Sequence, residues 1–89
     1  MELRQLRYFV KVCELRSMGR AAVELGVVTS ALSQQISRLE SELATRLLMR
    51  THTGVVPTAA GTAFLRQARL TLRHAENAIA AAREARLSG

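Results

Sequence analysis

With 89 residues, 48% of them hydrophobic but only two phenylalanines, one tyrosine and no tryptophan, the chain can build one small domain whose core comes from Leu, Val, Ile and Ala. Thirteen basic residues against seven acidic leave a net charge of +6, which favours a polyanionic partner over a bare solvated surface. No apolar run is long enough to cross a bilayer, and Glu2, Arg4 and Arg7 interrupt any signal-peptide pattern. The single cysteine, Cys13, excludes an internal disulfide and fits a reducing cytoplasm.

Residues 2–16 read as an amphipathic helix with Leu3, Leu6, Phe9, Val10 and Cys13 facing inward and Arg4, Arg7, Lys11 and Glu14 outward. Cys13 is expected to be a small buried side chain of this helix rather than a redox sensor. Residues 18–25 form a second, short helix carrying Met18, Ala21, Ala22 and Leu25 at helical spacing. The adjacent alanines allow close helix approach, and Gly26 supplies the turn that follows. A third helix over about 29–44 shows an apolar stripe of Leu32, Ile36, Leu39 and Leu43, with Ser30, Ser33, Gln34 and Ser37 on the opposite face. Together the two form a helix-turn-helix over about 18–37, whose second helix is shaped to enter the major groove of DNA.

The segment Arg46–Pro57 changes character. Leu47, Leu48 and Met49 predict a short strand, Thr51–Gly54 a turn, and Val55–Pro57 a returning strand. A small hairpin over about 46–57, following a recognition helix, is the wing of a winged helix. Thr58 then caps one long alanine-rich helix running to about Arg86, roughly 43 Å at 1.5 Å per residue. Leu65, Ala68, Leu72, Ala75, Ile79 and Ala82 recur at alternating spacings of 3 and 4, a heptad-like seam that predicts pairing between two chains. The alternation of Leu and Ala suits a close antiparallel or crossed contact. The plainer alternative is a helix packed on its own domain. The predicted division is thus a DNA-binding unit over residues 1–57 and a linker or dimerisation helix over 58–89. The fold class is mainly α, a winged helix-turn-helix with a two-stranded wing.

Affinity in such a fold comes from phosphate contacts and sequence choice from a few side chains on the recognition helix. Thr29, Ser30, Ser33 and Gln34 are the base-reading candidates. Gln34 can pair with adenine in bidentate fashion, and the Thr29 methyl can pack on thymine. Because Val28 has no capping oxygen, Thr29 or Ser30 is also a candidate N-cap, and for Thr29 capping and DNA contact stand level. Arg4, Gln35, Arg38, Arg50 and His52 are the candidates for phosphate or minor-groove contact, the last two on the wing. Glu40 and Glu42 would repel DNA, so that end of the helix should point away from it. No enzyme, metal site or cofactor can be assembled: His52 and His74 stand on different elements, without a nucleophile–base pair or a glycine-rich phosphate loop.

The opening LRQLRYFVKV, the pair Ala21–Ala22, the block ALSQQISRLESEL, the segment LLMR and the terminal PTAAG stand together in one order. This set resembles the N-terminal DNA-binding domain of LysR-type transcriptional regulators, over the whole chain. The resemblance implies a bacterial regulator acting at promoters through a dyad site with a T-N11-A core. It implies a homodimer paired through the long helix. It also implies a C-terminal effector domain of periplasmic-binding-protein-like fold, the seat of any small-molecule inducer, which is absent from this chain. Three departures stand out. Val28, Thr29 and Ser30 replace the family's usual Ser-Gln-Pro, Thr53 replaces an arginine before the wing glycine, and Leu48 replaces a phenylalanine. The first puts the usual glutamine contact in doubt, and the second leaves the minor groove to His52 or Arg50.

A reading from another class is a helical protein-interaction module with incidental basic charge; it predicts no preference between random and palindromic duplexes. A membrane-surface helix fits poorly. Arg66, Arg69, Arg73 and Arg83 are offset by Glu76, Glu84 and small alanines.

Overall fold

The computed structural model describes residues 1–89. Helix α1 (Leu3–Leu15) buries Leu6, Phe9, Val12 and Cys13 on one face. It stops because Arg16 turns into the left-handed region at φ 54° and its N–H closes on the Val12 carbonyl. Ser17 then caps helix α2 (Met18–Leu25) by accepting from the Arg20 N–H at 3.1 Å. Gly26, at φ 70°, ends α2, and helix α3 (Thr29–Leu43) follows after two valines. Strands β1 (Leu48–Thr51) and β2 (Gly54–Pro57) pair antiparallel from Leu48 opposite Pro57 to Thr51 opposite Gly54. Helix α4 (Ala59–Ser88) completes the chain, its first turn capped by the Thr58 hydroxyl, which accepts from the Gly61 N–H at 2.9 Å.

Helices α1, α2 and α3 pack around a core of Phe9, Val12, Ala21, Ala22, Leu32, Ile36 and Leu39, closed from the wing side by Leu47, Leu48 and Val55. Ala21 and Ala22 are 0% and 2% exposed, so their small side chains sit in the close helix approach that their pairing predicted. Phe64 of α4 meets Phe9 edge to face, with centroids 5.4 Å apart and planes at 79°. Cys13 is buried as expected, and desolvation lifts its thiol to about 11, against the opposing pull of Arg69. Such a thiol stays protonated and is a poor nucleophile.

Several expectations need correction. Leu3 is 40% exposed rather than inward-facing, because it lies in the first turn of α1, ahead of the core residues packed between the helices. Val12 takes the inward place instead, at 0% exposure, and Val10 is only half-buried. The strand begins at Leu48, not Leu47; Leu47 is buried just before it. Its N–H, with that of Leu48, is claimed by the Glu40 carboxylate at 2.7 and 3.2 Å. Neither Thr29 nor Ser30 caps α3: Val28 holds the N-cap position with no side-chain capping bond, and Thr29 is the first helical residue. The long helix follows the plainer alternative over the first part of its seam, which packs on the chain's own domain. Ala68 is buried at 2% and Leu65, Leu72 and Ala75 are partly covered by the chain's own packing, so Ala68 is not free for a second chain. Beyond Ala75 every residue of α4 is exposed, including Ile79 and Ala82.

Candidate nucleic-acid interface

Helix α3 turns its apolar stripe into the core, which leaves Ser30, Gln34 and Ser37 exposed and Ser33 half-buried on the other side. Ser30, Ser33, Gln34 and Ser37 line one open concavity on that face. Small hydroxyl side chains keep it shallow, so an incoming surface can approach the helix backbone closely. A second concavity lies between the N-terminus of α2, the start of α3 and the wing. Thr29, Arg50 and His52 meet there, although they come from separate elements. Arg50 also borders a narrower cleft, with Ser33, Ser37 and Arg46, between α3 and the wing. The recognition face and the wing are therefore continuous across Ser33 and Arg50.

Local contacts fix this relation. The Val55 N–H donates to the Arg16 carbonyl at 3.1 Å, tying the wing to the α1–α2 turn. Gly54 adopts φ 141°, and a Cβ there would collide with the same carbonyl oxygen. Only glycine satisfies both demands. The Thr51 hydroxyl donates to the Gly54 carbonyl at 3.0 Å across the two-residue tip, His52–Thr53. From the other side Glu40 binds the entry to β1 through two backbone N–H groups and lies 3.8 Å from the Arg46 guanidinium.

Charge on this side is unbalanced. The chain's ion pairs join the N-terminal amine to Glu42, Arg4 to Glu2, Lys11 to Glu14 and Glu24, and Arg46 to Glu40. None engages Arg16, Arg38 or Arg50, which remain exposed cations around α3 and the wing. Arg38 lies one turn beyond Gln34 on α3, outside the concavities. Arg4 lies on α1 beside Glu2, away from both concavities, and is not gathered with the others. Gln35 is half-buried, and its carbonyl oxygen accepts from Gln5 at 3.2 Å, so only part of its side chain faces outward.

Three contributors escaped the sequence reading. Arg16 and Ser17 line the wing concavity because the left-handed turn at Arg16 folds the α1–α2 corner against the hairpin. The cue was an arginine directly before a capping serine. Glu40 organises the wing entry rather than merely repelling DNA, and nothing in its local sequence signals a partner at Leu47. No group of His, Cys, Asp and Glu side chains is placed to hold a metal ion, and no helix is long and apolar enough to cross a membrane.

Residues 3–62 match the model of the bacterial regulatory helix-turn-helix proteins of the lysR family. The nitrogen assimilation regulatory protein nac of Klebsiella aerogenes is 46% identical over 78 residues, covering 88% of this chain and 26% of that protein. The chain thus spans about a quarter of the length of most of the curated relatives it matches. Among solved structures, a complex of the CbnR DBD with DNA superposes with a TM-score of 0.91 at 42% identity, over 96% of this chain and 98% of that one. A complex of the BenM DBD with catB site 1 DNA gives 0.91 at 38% identity, over 94% of both chains.

Proposed function

The chain belongs to the LysR family of bacterial regulatory helix-turn-helix proteins, and from that we propose that it binds double-stranded promoter DNA in a sequence-specific manner. Residues 1–57 act as the winged helix-turn-helix and residues 58–89 as the helix that pairs two copies. Two recognition helices then enter successive major grooves of a dyad site with a T-N11-A core. The observation that carries this reading is the polar, hydroxyl-rich face of α3, bordered by the unpaired cations Arg16, Arg38 and Arg50. Solved DNA complexes of the same fold support it. A protein that acts at bacterial promoters resides on the nucleoid, in the cytoplasm. Inducer binding belongs to an effector domain outside the residues described.

The roles divide by chemistry. Gln34, exposed and able to donate and accept, reads a base edge, with Ser30 and Ser33 beside it. Thr29, freed from capping, contributes its methyl and hydroxyl at the leading end of the helix. Arg50 and His52 hold the sugar-phosphate backbone or the minor groove from the wing, and Arg38 holds a phosphate farther along α3. Arg4 serves as an outlying phosphate contact.

Selection of duplexes from a random pool at near-physiological salt tests the reading, and enrichment of a T-N11-A dyad is the expected result. Gln34→Ala should lose about 1–3 kcal/mol on the selected site and little on random DNA, while Arg50→Ala should weaken both alike and lower the salt slope by about 1. Equal losses on both duplexes for Gln34→Ala would remove it from base reading. Retention without any enriched sequence would reduce the function to electrostatic binding.

A further inference from the structure

Gln5 is the one polar side chain among the buried residues of the chain, at 7% exposure. It links two elements. Its Oε1 accepts from the Glu2 backbone N–H at 3.1 Å, and its Nε2 donates to Oε1 of Gln35 on α3 at 3.2 Å. A backbone N–H can only donate, so it dictates which end of the Gln5 amide turns toward it. The oxygen faces Glu2 and the nitrogen faces Gln35. Gln35 must then point its own oxygen inward, and only its –NH2 group is left for the outside. Its neighbour Gln34 is exposed and lies outside this chain of bonds, so it keeps a donor and an acceptor.

We infer that Gln5 is a positioning residue that turns Gln35 into a donor-only group for a phosphate oxygen of bound DNA. This rests on the DNA-binding reading above. Bidentate pairing with adenine requires an amide that offers both ends, so it is closed to Gln35 and open to Gln34. Gln35 also lies at the flank of α3 nearest α1, outside the concavity that Ser30, Ser33 and Gln34 line, where a helix seated in the major groove meets the backbone. The chemical partner is thus an anionic acceptor. The preference is indifferent to base sequence.

The test uses the whole chain and its selected duplex, with Gln35→Met, Gln5→Met and the double variant. Gln35→Met should lower affinity about tenfold on selected and random duplexes alike, since it removes a hydrogen bond to a charged group. Gln5→Met should lower it about threefold, because Gln35 remains but is no longer oriented. The double variant should be no weaker than Gln35→Met alone. A single neutral methylphosphonate placed along the site should cost the wild-type chain most at one position and cost both variants little there. If Gln5→Met does not fold by circular dichroism, Gln5→Glu replaces it. A carboxylate accepts from Glu2 and from a reversed Gln35, and the same non-additivity with Gln35→Met is expected. Unchanged affinity in the Gln5 variant, or losses that multiply in the double variant, would overturn the inference and leave Gln5 a packing residue. A wild-type chain without DNA affinity would overturn the DNA-binding reading together with it.

Discussion

Val28 begins the recognition helix with a side chain that is 68% exposed and has no oxygen to offer the orphan N–H groups of the first turn. Burial therefore contributes little at this position, and capping nothing. Replacement by serine would supply an acceptor to the N–H of Ser30 while sacrificing almost no packing. Val28→Ser is expected to raise stability by about 1 kcal/mol, read as a higher urea midpoint at unchanged slope. An unchanged or lower midpoint would show that the valine makes a native contact that its exposure conceals. Residue-scale chemistry explains Cys13 in the opposite way. Burial excludes its thiolate, and so the only cysteine is a core atom group rather than a reactive one.

At the scale of elements, the wing is positioned by its ends and its tip. Glu40 of α3 satisfies two backbone N–H groups at the entry to β1, and Val55 of β2 bonds to Arg16 at the corner between α1 and α2. Glu40→Ala leaves both N–H groups without their carboxylate in a half-buried setting, which should cost about 1–3 kcal/mol in a urea titration. DNA affinity should fall further than stability alone accounts for, because Arg46 and Arg50 lose their frame. A variant as stable as the parent would mean that water replaces the carboxylate at no cost. The same contacts explain what could be read beforehand. The limits of α2 and the Thr58 cap of α4 were legible because capping and apolar spacing are local. The existence of the wing after α3 followed from the order of elements, but its convergence with the start of α3 did not. The strand register, the cap at Val28 and the parts played by Arg16, Glu40 and Gln5 were not legible. Each depends on a partner in another element, which spacing along the chain does not encode. The seam on α4 shows the same limit. Spacings of 3 and 4 describe a face to be covered, and they do not say whether the chain's own α1 or a second molecule covers it.

The whole molecule measures 54 × 25 × 20 Å, and most of its length comes from α4, whose 30 residues rise about 45 Å. The first half of this helix completes the core through Phe64, Leu65 and Ala68. The second half projects, with Ile79 50% exposed, Leu87 80% exposed and every residue beyond Ala75 in an exposed position. Substitutions in the two halves should therefore separate folding from association. Ala68→Glu forces a charge into a buried position and is expected to unfold the chain. Ile79→Glu and Ala82→Glu change exposed positions outside the core, so circular dichroism and the melting behaviour of a dilute sample should match the parent. If the projecting half pairs two copies, these variants should sediment as monomers at concentrations where the parent is dimeric. Their affinity for a half-site should be kept, while affinity for the full dyad should fall by about 100-fold or more, because the second recognition helix no longer binds as a linked partner. An Ile79→Glu chain that still sediments as a dimer would move the interface elsewhere on the molecule, and the projecting half of α4 would then act only as a spacer.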